Sequence, residues 1–330
     1  MSFQDSKELI RNYYDSLERE PVSDISSTLE KYTFGASYLW RGMHPFHELQ
    51  GSKDVAEKFW SPLRVSFSSL QRRVDIFFAG YNEIDGFQSE WVCSMGHFMG
   101  IFENPWLDIP PTGKIVFIRY AEFNKIQDGK ISETAFFFDI LHIMSQAGMV
   151  PLPHQTGADI IAPGPKNHDG LLFHDPCKKE GGKTLSLINA MINNINLVTY
   201  DSPYEELAQT WHENMIWWGP SGIGSCYTFD GYIAQHQQPF RTQLKNRKFN
   251  GHLCRIAEGN FGGFFGWPNL TITTSGKFLG LPPTNTEADM RVVDIYARNG
   301  EKLEENWVFI DILHFLNMQG IDILATLKPS

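Results

Sequence analysis

The chain has 330 residues, with 28 Lys+Arg against 38 Asp+Glu and a formal net charge of −10. That acidic balance argues against the basic face with which a protein grips nucleic acid or an anionic membrane. Hydrophobic residues at 42% and charged residues at 20% exclude bulk disorder, and the length suggests about two domains.

The first predicted element is a helix over 5–20, where Leu9, Ile10, Tyr13, Tyr14 and Leu17 recur at helical spacing. A second helix is expected over 52–63, with Ser52 as cap and Val55, Phe59 and Leu63 as its apolar stripe. The segment between them, Trp40-Arg41-Gly42-Met43-His44-Pro45, reads as a loop. Beyond Arg72 the pattern changes to strands over 74–78, 89–97, 115–123 and 131–138, with Gln127-Asp128-Gly129 as a hairpin turn. Asp139 is placed to cap a short closing helix that Gly148 ends.

The chain then repeats. FFDILHIMSQAG (137–148) returns as FIDILHFLNMQG (309–320), an offset of 172 residues that also maps IPPTGK onto LPPTNT and Glu122 onto Asp294. Further upstream the offset is 177, mapping Trp40 onto Trp217, Gly42 onto Gly219 and Arg41 onto Trp218. Order is kept over more than a hundred residues, which a duplicated domain explains and chance does not. The expected division is a first copy over 1–150, a Pro/Gly-rich linker over 151–184 and a second copy over 185–330. The linker carries Leu152, Ile160 and Ile161, so part of it is expected to pack on a domain. Each copy reads helices first and then a bent antiparallel sheet, an α+β architecture in which helices close one side of a curled sheet around a pocket. The copies are expected to pair sheet against sheet about a pseudo-twofold axis, an intramolecular pseudo-dimer that leaves further homodimerisation open.

Three features of each copy resemble the SnoaL-like polyketide cyclase family, within the nuclear transport factor 2-like superfamily of cone-shaped α+β barrels. They are the segments FMGIFENPWLDIPPTGK (98–114) and KFLGLPPTN (277–285), the strand-turn-strand pairs RYAEFNKIQDGKISE (119–133) and RVVDIYARNGEKLEE (291–305), and the closing D-x-L helix. The resemblance implies two tandem cones, no cofactor, and a small-molecule substrate or ligand. It places a polar pocket residue at Glu122 and Asp294. It also implies a His-x-Asp pair on the last strand, but those positions are Thr134 and Phe136 in one copy and Asn306 and Val308 in the other. Neither copy keeps the acid.

Glu122 and Asp294 are therefore the candidate bases, since a carboxylate in an apolar cone has its charged form disfavoured and its pKa raised toward neutrality. The alternative is that neighbouring Arg, Tyr or Asn side chains satisfy them. Asn306 is a candidate oxyanion donor and His97 a candidate donor to a ligand carbonyl, each against the reading of a satisfied buried group. Tyr120 shares a strand face with Glu122, and Tyr296 with Asp294. Trp40, Arg41, Trp217 and Trp218 are candidate ligand-binding residues, or plugs of the cone's narrow end. Asp139 and Asp311 read as helix caps.

Cys93, Cys177, Cys226 and Cys254 form no C-x-x-C pair. His44, His47, His168 and His174, with Asp169 and Asp175, lack metal-site spacing, and no metal is expected. The N-terminus lacks a signal-peptide core and no apolar run approaches the roughly 18 residues of a membrane span. A cytoplasmic protein is expected. The function these observations suggest is proton transfer on a small, largely apolar carbonyl or polyketide-like compound, by cyclisation, isomerisation or dehydration. A non-catalytic small-molecule binding protein is the alternative.

Overall fold

A computed structural model describes residues 3–327 except His154, 175–177, 198–199 and 201; Asp175 and Cys177 lie outside the described residues. The first half opens with α1 (Gln4–Arg19) and α2 (Ile25–Tyr32), then β1 (Leu39–Gly42) and β2 (His47–Gln50). A single bent helix follows, α3 (Ser52–Val55) and α4 (Ser61–Ser66) joined by a π-turn at Ala56–Trp60. Four long strands, β3 (Phe67–Tyr81), β4 (Glu90–Phe102), β5 (Ile115–Gln127) and β6 (Lys130–Phe138), and α5 (Ile140–Gln146) complete it. The second half repeats the plan with α6 (Lys178–Leu197), α7 (Pro203–Ala208), β7 (Trp211–Trp218) and β8 (Cys226–Tyr227). Next come α8 (Thr228–Tyr232), a π-turn at Ile233–Gln237 and α9 (Gln238–Gln243). It ends with β9 (Leu244–Phe249), β10 (Cys254–Glu258), β11 (Phe261–Thr274), β12 (Glu287–Asn299), β13 (Lys302–Ile310) and α10 (Ile312–Asn317).

The sheets share one topology. The first has the order β2-β1-β6-β5-β4-β3, and the second β8-β7-β13-β12-β11-β10 with β9 also on β11. In each, a short strand runs parallel to the last long one, β1 along β6 and β7 along β13. Trp40 and Trp217 sit on these strands, so the loops expected there are strands. The chain is an α+β tandem of two curled sheets, each with helices on its concave side. No helix among the described residues is long and apolar enough to cross a membrane.

Strand alternation splits each sheet's side chains between two cores. One face turns into its own cone. The other carries Phe78, Trp91, Cys93, Met95, Phe123 and Phe137 from the first half against Cys254, Phe265, Val293, Trp307 and Phe309 from the second. Phe265 touches both Trp91 and Phe123, at 5.5 and 5.3 Å between ring centroids. Gly80 permits the close approach of β3 to β10, because a Cβ there would lie 2.9 Å from that of Ile256. A buried ion pair, Lys7 Nζ to Glu258 Oε1 at 2.6 Å, ties α1 to β10, and the other oxygen of Glu258 accepts from the Ala79 N–H.

Two aspartates lock the halves reciprocally. Asp139 Oδ1 accepts from the His142 N–H at the start of α5, and its Oδ2 accepts from the Ser221 N–H of the other half at 2.8 Å. Asp311 does the same for α10 through the His314 N–H, and for the His44 N–H of the first half at 3.0 Å. His44 and Ser221 are themselves related by the 177-residue offset. Each carboxylate is thus a helix cap and an interdomain acceptor at once.

The segment between the halves is attached to both. Phe77 donates its N–H to Gly170 O and accepts from Leu172 N–H, while Ala158 pairs with Ser225 in the second half. Trp307 Nε1 donates to Pro163 O at 2.8 Å. Leu152 is buried, whereas Ile160 and Ile161 are exposed.

Replacing Asp139 or Asp311 by Ala removes a cap and strands an interdomain N–H, so each variant is expected to lose about 2–4 kcal/mol of stability. Urea unfolding checks this; losses within about 0.5 kcal/mol, the ordinary surface effect, would show that the bridges are incidental.

Candidate functional site

Register relates the two cones position by position. Pairing across β5 and β6, and across β12 and β13, aligns Tyr120 with Val292, Glu122 with Asp294, Thr134 with Asn306, Phe136 with Val308 and Phe138 with Ile310. Continuing into β4 and β3, and into β11 and β9, aligns Phe98 with Leu270 and Arg72 with Phe249. Four bulky aromatic side chains of the first cone are therefore aliphatic in the second.

The first cone is full. Trp40, Phe59, Trp60, Phe98, Tyr120, Phe136 and Phe138 pack on one another, with Trp40 and Phe59 centroids 4.7 Å apart and Tyr120 parallel to Phe136 at 5.9 Å. Arg72 enters this core, its guanidinium 3.6 Å from the Tyr14 ring and 4.6 Å from that of Tyr120. Its Nη1 lies 2.6 Å from Glu122 Oε2, both side chains nearly inaccessible. Glu122 is thus ion-paired within a packed interior.

The second cone is hollow. A cavity of about 170 Å³ is lined by Asp294, Tyr296, Asn306, Trp217, Tyr232, His236, His252 and Phe264, with Val292, Val308, Ile310 and Leu270 where the first cone has its bulk. Residues Met191, Ile192 and Ile195 of α6 close one wall. With Phe249 in the place of Arg72, no cation among the described residues pairs with Asp294. Asn306 Nδ2 donates to its Oδ1 at 3.2 Å and Tyr296 also hydrogen-bonds it. Bordering the cavity, Asp294 keeps some exposed surface, yet protein surrounds it. Burial pushes its pKa up to about 7 despite these two hydrogen bonds, which oppose the rise. Burial likewise pushes His236 down to about 3, where it stacks on Trp217 at 3.9 Å.

The cavity brings together four of the residues that the sequence nominates: Asp294, Asn306, Tyr296 and Trp217. Glu122, Tyr120 and Trp40 lie in the filled cone. Arg41 is turned away from it and paired with Glu48 and Glu133. His97 lies on the opposite face of β4 from the cone, its Nδ1 3.3 Å from Asp75 Oδ2. Trp218 faces the other half, from which Arg119 Nη2 donates to its carbonyl, while its indole N–H donates to Glu305 of its own half. Asn306 also differs from expectation: its Nδ2 is shared between Asp294 Oδ1 and the Ile295 carbonyl. An amide has two hydrogens, so it orients the carboxyl and has none left for an oxyanion. His236, His252 and Tyr232 escaped the sequence reading. The 177-residue offset that aligns Phe59 with His236 is the signal that finds the first of them. Among the described residues no group of three or more His, Cys, Asp or Glu is arranged to hold a metal ion.

Residues 33–147 match the model of the SnoaL-like polyketide cyclase family. No curated protein matches the chain. Similar solved structures include a candidate SnoaL-like polyketide cyclase from Jannaschia sp. CCS1, 17% identical, covering 44% of this chain and 91% of its own with a TM-score of 0.36. An NTF2-like protein from Burkholderia xenovorans LB400 is 13% identical over 42% of this chain and 97% of its own, with a TM-score of 0.34. A protein with a ketosteroid isomerase-like fold from Catenulispora acidiphila DSM 44928, in complex with trimethylamine, is 9% identical over 43% of this chain and 94% of its own, with a TM-score of 0.33. The matched residues lie within the first half, whose sheet topology the second half repeats.

The raised pKa of Asp294 has a thermodynamic signature. Its folded-state value of about 7 lies above the ordinary value of 3.8, so the folded protein keeps a proton that the unfolded chain has released. Wild type is expected to lose stability relative to Asp294→Asn as pH rises from about 4 to about 7, with a constant difference above that. Denaturant titrations at several pH values check this, and parallel profiles for the two proteins would contradict it.

Proposed function

We propose that this tandem SnoaL-like chain is a cofactor-independent proton-transfer enzyme of the cyclase, isomerase or dehydratase type, working in its second cone on a small, largely apolar carbonyl compound. The observation that carries the proposal is Asp294: a carboxyl that no cation among the described residues pairs, in a largely apolar hollow, with a pKa near neutrality. Such a group is ionised often enough to take a proton and basic enough to take it from carbon beside a carbonyl. Trp217, Phe264, Val292 and Val308 supply apolar wall that excludes water and strengthens each polar contact inside. The filled first cone, where Arg72 neutralises Glu122, serves as partner and support.

A second reading has its own observation. Val308 stands where the resemblance implies the family's acid, and Asn306 where it implies the histidine, which favours a protein that binds such compounds without turning them over.

The test is deuterium exchange from solvent into the α-position of a panel of aromatic and polyketide-like ketones, followed by NMR. Exchange is expected to rise with pH through about 7 as Asp294 ionises. Asp294→Asn is expected to lower it by about 100- to 10,000-fold, whereas Glu122→Gln leaves it at the wild-type level. Ketones that bind without exchanging establish the binding reading instead. Val308→Phe, which restores the first cone's aromatic residue, is expected to abolish ketone binding in calorimetry while the protein stays folded.

A further inference from the structure

Proton abstraction beside a carbonyl gathers negative charge on the carbonyl oxygen, and a donor has to meet it there. Asn306 and Tyr296 are both engaged with Asp294. His252 lies on the same cavity wall, stacked on Phe264 with centroids 3.8 Å apart and planes within 11°. Phe264 stands directly opposite Asp294 in the β11–β12 ladder.

The tautomer of His252 is set by its neighbour. Arg255 Nε and Nη2 lie 3.3 and 3.0 Å from its Nδ1. A guanidinium has donors and no acceptor, so Nδ1 accepts, and the neutral ring carries its single proton on Nε2. Burial and the adjacent Arg255 charge push the ring's pKa down to about 3, which keeps it in that form. Arg255 is itself held from the first half. Its Nη1 bonds Glu83 Oε2 of that half at 3.0 Å, and also Asn189 Oδ1 of its own half at 2.6 Å. Asn82 accepts the Arg255 N–H and donates to the Leu253 carbonyl.

We propose that His252 is a further catalytic residue of the second cone, presenting its Nε2–H to the substrate oxygen, and that Arg255, anchored on Glu83, positions it. This inference rests on the proton-transfer reading of Asp294. In the step, the Asp294 carboxylate takes the α-proton, the C–H electron pair becomes the enolate double bond, and the carbonyl π pair moves onto oxygen. The Nε2–H hydrogen-bonds that oxygen and keeps its proton. Asp294 then returns the proton to carbon. A neutral imidazole suits this role because nothing has to be deprotonated to reset it.

The probe is 4-nitrophenol, whose phenolate mimics an enolate and absorbs differently from the phenol. It is titrated into Asp294→Asn, in which a neutral amide replaces the carboxylic acid formed by abstraction. The bound probe is expected to be mainly phenolate. Adding His252→Phe is expected to weaken phenolate binding by about 10- to 100-fold, His252→Gln to restore much of it, and toluene binding to be unchanged in both, which shows that the cavity is intact. Nitrogen-15 NMR of labelled histidine is expected to show His252 with Nδ1 as acceptor and Nε2 protonated, and to lose that fixed tautomer in Arg255→Met. Phenolate binding that ignores His252→Phe, or an Nδ1-protonated ring, overturns this inference alone. Failure of the probe to enter the cavity overturns both it and the proton-transfer reading.

Discussion

A carboxyl group enclosed by apolar walls has two stable fates, and this chain contains both. It can be packed against a cation in an ion pair, or be left without one, where burial raises its pKa. Glu122 takes the first course because Arg72 lies across the cone from it and is itself wrapped by Tyr14, Phe98 and Tyr120. Asp294 takes the second because the position equivalent to Arg72 is Phe249. The chemistry available to each cone follows from that one exchange together with the bulk around it. Aromatic residues that shield an ion pair leave no room for a ligand, and aliphatic ones in the same places leave a hollow.

The pairing of the sheets makes this asymmetry sustainable. A hollow of about 170 Å³ forgoes the packing contacts that aromatic side chains supply in the first cone. The second half offsets that loss through surface shared with the first: the aromatic layer around Phe265, the Lys7–Glu258 pair and the two aspartate bridges. The halves are therefore coupled in stability while their interiors have been free to diverge.

Much of the fold was legible in the sequence, for identifiable reasons. The repeated closing helix, with Asp139 and Asp311 at its start, announced the duplication because a cap residue and an apolar stripe are local features. Alternation put Tyr120 on one strand face with Glu122, and Tyr296 with Asp294. The short parallel strands were not legible: β1 and β7 are defined by their pairing with β6 and β13, contacts almost a hundred residues away in sequence. The site was half legible. Asp294 and Tyr296 share one face through strand periodicity, which a sequence displays, whereas Asn306 followed from the resemblance and Trp217 from the repeat. That Arg72 reaches Glu122 from another strand, or that His252 reaches the cavity wall from a loop, depends on how the sheet curls, which no spacing encodes.

The aspartate bridges also show why the second copy needs the first even though only one cone is hollow. Asp311 caps α10, the helix that follows β13, and β13 carries Asn306 and Val308 into the cavity. The N–H that Asp311 accepts from outside belongs to His44 of the first half. Glu83 of the first half meanwhile holds Arg255 beside the His252 wall. Two opposite sides of the second cone are thus fixed by groups from its partner, one through a helix cap and one through a guanidinium. A single cone of this sequence would lose the His44 N–H from Asp311 and the Glu83 carboxylate from Arg255. Both losses fall on elements that shape the cavity, so the first copy, its own cone packed with aromatic side chains, remains a structural part of the second copy's site.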